Sequence, residues 1–153
     1  RGGTTRGGPH RAADGRSEGD AGRMAIHVVR LGTPRSPGEG TRLGTVRRPP
    51  RGVRKEDLAR LDYYDVWLPV LAPSAELVAA ARGATTEAEW RRFERGYVKE
   101  MSASDPAGVL DLLALLSSTV DLAIGCYCED EDRCHRSQLR RLLAERGAVL
   151  AGG

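Results

Sequence analysis

The sequence has no uncharged apolar run of the roughly 20 residues that a bilayer-spanning helix needs, and its mean hydropathy is −0.42. A membrane partner is therefore excluded, and a soluble chain is expected. Length is lacking as well: 153 residues and 16.5 kDa favour one domain over a multidomain machine. Aromatic residues are scarce, 5% of the chain with a single Phe, yet 40% of the residues are hydrophobic, enough to build a real core. A strong excess of one charge is also missing. The formal net charge is +3, and residues 1–23, with five arginines against Asp14, Glu18 and Asp20, contribute +2 of it. From Met24 onward 19 basic residues face 18 acidic ones, so a pI of about 9.0 is no argument for nucleic-acid binding and any basic site must be local.

Cysteine is nearly absent. The three that exist, Cys126, Cys128 and Cys134, fall within nine residues, an odd number in a chain with no signal-like apolar segment. A disulfide framework is excluded by that pattern, which suits a reducing cytoplasm and thiols used for chemistry or metal. A Cys126–Cys128 bridge would be strained, leaving Cys128–Cys134 as the comfortable oxidised pair.

Residues 1–23 hold only Ala12, Ala13 and Ala21 as apolar residues and seven of the 19 glycines, so burial there cannot repay the entropy of ordering the backbone. The segment is expected to be a disordered N-terminal tail, with Met24 as the biological start. Residues 24–150 are expected to form a single compact α/β domain. Met24 to Leu31 reads as a buried opening strand, and Gly32 to Gly44 as a Gly/Pro-rich loop. Thr45 to Lys55 carries consecutive prolines, which forbid a central strand or a helix interior. Tyr63 to Leu71 reads as a strand ending near Pro69, and Ser74 caps a helix from Ala75 to Arg82 closed by Gly83. Thr86 and Glu89 form a capping box ahead of Trp90, Phe93, Tyr97 and Met101, one core-facing helical stripe. Asp105-Pro106 opens another helix with Val109, Leu112, Leu113 and Leu116 on one face. Asp121 to Cys126 is a short buried strand, and Leu139, Leu142 and Leu143 mark a last helix from about Cys134 to Arg146. Strands interleaved with helices predict an α/β fold with a small, mainly parallel sheet flanked by helices, its sites gathered beyond the carboxyl ends of the strands.

The strongest chemical signal is the turn from Gly125 to Ser137. Cys126 and Cys128 point to the same side of an extended chain, and Cys134 falls in the first helical turn, where free N–H groups stabilise a thiolate. His135 shares the face of Leu139 and Leu142 and is expected to point toward the body as an acid, base or ligand, or as a buried hydrogen-bonded histidine. For the cysteines three readings stay open: catalytic or redox thiol, small buried hydrophobe, and metal ligand. Metal ranks below the others, because Cys-x-Cys is not the usual two-residue knuckle and neighbouring Cys134 and His135 diverge on a helix. Cys134 to Arg140 has a phosphatase-like spacing, but the intervening HRSQL lacks glycine and should be plain helix. Glu129 to Asp132 read as a solvated acidic loop. Arg42, Arg47, Arg48, Arg51, Arg54 and Lys55 flank the Pro-Pro segment, where guanidinium forks suit phosphate or carboxylate if the loop is more than solvated surface.

These elements resemble the bacterial and archaeal domain-of-unknown-function family 488. The resemblance is carried by the strand Met24 to Leu31, Pro50-Arg51-Gly52 with Lys55, Pro73-Ser74 with Leu77, Trp90 with Phe93 and Tyr97, and Cys128 through Cys134-His135-Arg136, the Cys-x5-Cys-His-Arg motif of one branch. It covers Met24 to Ala148 and implies a small α/β fold. It supplies no reaction. Similar proteins that lack the Cys-His-Arg element keep the Pro-Arg-Gly element, which adds weight to the arginine loop.

The leading functional reading is a cytoplasmic enzyme acting on an anionic substrate, nucleotide-like or nucleic acid, held by Arg48, Arg51, Lys55 and Arg136, with Cys128, Cys134 and His135 as candidate catalytic residues. The alternative is a non-catalytic module that binds a ligand or nucleic acid and uses its cysteines structurally or to hold zinc. The sequence assigns no cofactor and no oligomeric state. A chain beginning at Met24 is expected to keep the melting temperature of the longer one; a drop of several degrees in a thermal melt would show that the tail docks.

Overall fold

Among the described residues four short strands form one sheet in the order β1-β4-β2-β3, and every neighbouring pair runs parallel. The computed structural model describes residues 23–152, so the tail expected over residues 1–23 lies, but for Arg23, outside the described residues. The strands are β1 (Ile26–Arg30), β2 (Thr41–Gly44), β3 (Val66–Trp67) and β4 (Leu122–Cys126). Among the described residues four α-helices complete the domain: α1 (Ala75–Gly83), α2 (Glu87–Met101), α3 (Ser104–Leu116) and α4 (His135–Glu145). β4 is uncharged and buried at its last four residues, as a strand flanked on both edges requires. Its register sets Cys126 beside Arg30 of β1 and Ile124 beside Leu43 of β2. None of the helices among the described residues is long and apolar enough to cross a membrane.

The helices follow local signals. Ser74 caps α1 by accepting from the Leu77 amide at 3.3 Å, and Thr86 and Glu89 close a reciprocal capping box on α2. Trp90, Phe93, Tyr97 and Met101 are all buried. Tyr97, Met101, Leu110 and Leu113 meet Ile26, Leu43 and Ile124 of the sheet and Leu139, Leu142 and Leu143 of α4 in the main core. A second cluster, Leu31, Val46, Leu58, Tyr64, Cys126 and Cys134, gathers where the strands end.

Three expectations need correction. The strand expected over Tyr63 to Leu71 shrinks to the two exposed residues of β3, because Pro69 has no N–H to extend a ladder and the chain turns into a 3-10 helix over Pro69–Leu71. The loop expected over Gly32 to Gly44 ends instead in β2. Its signal was masked because Arg42, second in that strand, is 1% exposed. On α3 the buried positions are Pro106, Leu110 and Leu113, while Leu112, expected in the core, is 52% exposed. The buried stripe is rotated by about one residue, roughly 100°, from the expected one.

Arg42 is structural rather than part of an arginine surface. Its guanidinium lies 2.9 Å from Glu39, itself buried, and donates to the carbonyls of Thr33 at 2.8 Å and Asp62 at 2.6 Å. It thereby ties the loops after β1 and before β3 to the sheet. Two glycines permit the close approaches around it. Gly40 has φ +76°, and a Cβ there would lie 1.9 Å from the Asp121 carbonyl oxygen; a Cβ on Gly44 would lie 2.4 Å from the Tyr64 ring.

Replacing Arg42 by Met leaves Glu39 buried without its partner and is expected to cost about 3–5 kcal/mol, read as a lower urea midpoint at unchanged slope. A cost near zero would mean that Glu39 finds water. Asp65 generates a pH prediction. Burial pushes its carboxyl up, but hydrogen bonds from the Arg35 guanidinium and the Arg42 amide outweigh this and hold it below its ordinary value. The folded state therefore binds this proton less readily than the unfolded chain. Its contribution is complete above the unfolded value of about pH 4 and fades as pH falls further. Asp65→Asn should lower the urea midpoint at neutral pH and flatten the acid limb below about pH 4. Parallel wild-type and variant curves down the acid limb would contradict that.

Candidate functional site

The carboxyl ends of β2 and β4 are joined to the start of α4 by one residue. Thr45 is fully buried, and both its amide, at 3.1 Å, and its hydroxyl, at 2.9 Å, donate to the carbonyl of Gly125. Its own carbonyl lies 2.7 Å from His135 Nε2. A carbonyl can only accept, so Nε2 carries the proton and the neutral ring keeps its lone pair on Nδ1. The Thr45 hydroxyl, its proton spent on Gly125, is a second acceptor 3.3 Å from Nε2. His135 is 5% exposed and packs edge-on against Tyr97 with centroids 5.4 Å apart. It faces the interior, as its place beside Leu139 and Leu142 predicted.

The Nδ1 lone pair points to sulfur. Cys134 Sγ lies 3.6 Å from it, an approach that the helical wheel excluded. The reason is local. Cys134 is the N-cap of α4, with φ −143° and ψ 155°, so its side chain leaves an extended backbone and swings toward that of His135. Cys134, 2% exposed, and Cys126 are buried, Cys128 is exposed, and all three thiols are free. Cys126 Sγ is 3.6 Å from Cys128 Sγ. Hydrogen bonding to Cys128 and Cys134, reinforced by burial, pushes the Cys126 thiol far up. Cys128, the acceptor of the Cys126 S–H and then of the Cys134 contact, is held far below the ordinary thiol range against a partial desolvation, and the Arg136 charge adds to this. Cys134 is lowered by its contact with Cys126.

Arg136 joins this group. It is 3% exposed, and its Nη2 donates to the Cys128 carbonyl at 2.6 Å. The acidic turn does not reach in. Glu131 pairs with Arg140 at 2.8 Å, Asp130 accepts from the Asp132 amide, and Arg133 pairs with Glu87 beside the Trp90 ring.

The expected arginine loop divides. Arg51 borders an open cleft of about 530 Å³ with Arg30, Gly32, Thr33, Tyr63 and Tyr127. Lys55 borders a separate cleft of about 490 Å³ with Tyr64, Asp65 and Trp67. Arg48 contributes its backbone, its carbonyl accepting from the Tyr127 hydroxyl at 2.9 Å. Cys128, Cys134, His135 and Arg136 are therefore brought together, while among the described residues Arg51 and Lys55 line two other clefts. Tyr127 is the link, since it lies between Cys126 and Cys128 in the chain and packs edge-on against Tyr63 with centroids 6.1 Å apart. Sequence reasoning missed Thr45, Arg30 and Tyr127. The one available signal was Tyr127, an aromatic residue set between two cysteines.

Tyr127→Phe keeps the ring and removes the bond to Arg48. Global stability should change by no more than about 1 kcal/mol, while amide exchange through residues 47–52 accelerates. Unchanged exchange there would show that other contacts hold the loop.

No curated protein and no solved structure matches the chain. Residues 26–147 match the family model described as the active DUF488-N3 subclade, a span that runs from the first residue of β1 past the end of α4 and includes both the arginine loop and the Cys-His-Arg turn. On that match the chain belongs to the domain-of-unknown-function family 488.

Proposed function

We propose that the chain binds an anionic, nucleotide-like ligand or nucleic-acid end at the carboxyl edge of its sheet, and acts on it as a small enzyme of the reducing cytoplasm. The observation that carries this reading is the cleft of about 530 Å³ in which Arg30 and Arg51 accompany the rings of Tyr63 and Tyr127. Guanidinium forks suit phosphate oxygens, and aromatic faces suit a base or another flat group. Arg30 is steadied across the mouth by its Nε, which donates to the Tyr127 carbonyl at 3.3 Å. Cys128 follows Tyr127 and is the exposed sulfur of the cluster, so it is the group assigned to meet the ligand. Cys134 and His135 lie beneath it and act through it. Arg136, committed to the Cys128 carbonyl, serves as the local positive charge of the cluster rather than as a ligand clamp.

Nucleoside 5′-phosphates and short 5′-phosphorylated oligonucleotides are the probes. Arg51→Ala and Arg30→Ala should each remove a charge-assisted contact of about 1.5–3 kcal/mol, weakening binding about ten- to a hundredfold with unchanged circular dichroism. Lys55→Ala, on the other cleft, should bind as wild type does. His135→Ala should spare binding and abolish turnover, whereas a purely binding module would show no chemical step in any variant. Equal affinity of Arg51→Ala, Arg30→Ala and wild type for every bound probe would remove the cleft from the site.

A further inference from the structure

We propose that Cys126, Cys128, Cys134 and His135 Nδ1 form a binding site for one zinc ion. A tetrahedral ion about 2.3 Å from sulfur and about 2.0 Å from nitrogen sets neighbouring donor atoms roughly 3.5–3.8 Å apart. The cluster already has that spacing where its members meet, with 3.6 Å between Cys126 and Cys128 sulfurs and 3.6 Å between Cys134 Sγ and His135 Nδ1. Donor atoms of Cys126, Cys134 and His135 all lie within 4.8 Å of one another, and all three residues are buried.

Two further observations point to an ion. The first is the orientation of His135. A zinc-binding imidazole presents one nitrogen as a bare lone pair and anchors the other N–H on an outer acceptor, and here the Thr45 carbonyl at 2.7 Å is that acceptor. The second is charge. Three thiolates and a neutral imidazole around a divalent cation leave one net negative charge, and Arg136 brings one positive charge to the same place. Its Nε is buried and has no hydrogen-bond partner, an orphan donor on the guanidinium that already holds the Cys128 carbonyl. Soft sulfur donors with one imidazole and tetrahedral spacing favour zinc over magnesium or calcium. Metal binding releases the thiol protons to solvent, and no oxidation change is involved.

The ion would occupy the thiols and the imidazole that the enzymatic reading assigns to turnover, whereas anion binding in the cleft of Arg30 and Arg51 uses none of its ligands and can stand or fail separately. The full chain, kept reduced with a phosphine, is equilibrated with zinc for elemental analysis and titrated separately with cobalt(II). Expected are one zinc per chain and a cobalt spectrum with tetrahedral visible bands and near-ultraviolet sulfur charge transfer, both displaced by zinc. His135→Ala and Cys134→Ser should weaken cobalt binding by about a hundredfold or more. Because those residues are buried, Cys128→Ser at the exposed position is the second variant; it should fold, bind more weakly and lose part of the charge-transfer intensity. Arg51→Ala should keep its zinc. A folded wild-type chain without stoichiometric zinc and without the tetrahedral spectrum overturns the site, and so does a cobalt spectrum identical in wild type and Cys128→Ser.

Discussion

Thr45 is the junction on which the functional end of the molecule depends. Its amide and hydroxyl converge on the Gly125 carbonyl, and its own carbonyl receives the His135 N–H, so β2, β4 and α4 meet through one fully buried residue. Such an arrangement satisfies polar groups that would otherwise be costly to bury where the ladders end. It also decides chemistry. Because the acceptor is a backbone carbonyl, the tautomer of His135 is set by main-chain geometry, and the remaining nitrogen is presented to sulfur. Strand order creates this possibility: β4 lies between β1 and β2, so the turn that follows it is flanked by the loops of both neighbours.

The helices were legible in the sequence because their signals are local. Ser74, the Thr86–Glu89 capping box and the Trp90 to Met101 stripe act within a few residues, and the structure keeps each one. Strand signals were less legible, and β2 shows why. In Thr41–Gly44 the second residue is an arginine and the last a glycine; one reads as surface and the other as loop. Both are explained by distant partners, since Arg42 meets Glu39 and the Asp62 carbonyl, and Gly44 makes room for the Tyr64 ring. No short-range pattern encodes either fact. β3 failed in the opposite way: Tyr63 to Leu71 has strand-forming composition, but Pro69 and a solvent-facing edge limit it to two residues.

The candidate site was legible as a list and not as a geometry. Cys126, Cys128, Cys134, His135 and Arg136 stand together in the sequence and in space. What the helical wheel could not give is the conformation at a single position. Had Cys134 been inside the helix, its side chain and that of His135 would diverge; as the extended N-cap it brings its sulfur to the imidazole. The arginines posed the converse problem. Arg42, Arg48, Arg51 and Lys55 share a sequence neighbourhood, yet the fold assigns them to a buried hub, a loop anchor and two separate clefts. Charge alone carries no information about which will be desolvated.

Tyr127 gives the two halves of the site a common part. Its neighbours in the chain are cysteines of the buried cluster, its hydroxyl fastens the arginine loop at Arg48, and its ring lines the cleft beside Arg30 and Arg51. A change in the cluster that moves the backbone between Cys126 and Cys128 must therefore move a wall of the cleft. The cluster is held on its other side by Arg136, whose Nη2 fixes the Cys128 carbonyl. Backbone displacement at that turn is thus opposed from both ends, by a guanidinium below and by a tyrosine bond to the loop above. Rigidity of this kind suits positioning, because a reactive group or ligand-binding wall is useful only if its supports hold it within a fraction of an ångström. The charged residues that follow add to it from outside, Glu131 clasping Arg140 and Arg133 clasping Glu87, so that the turn is fastened to both α4 and α2.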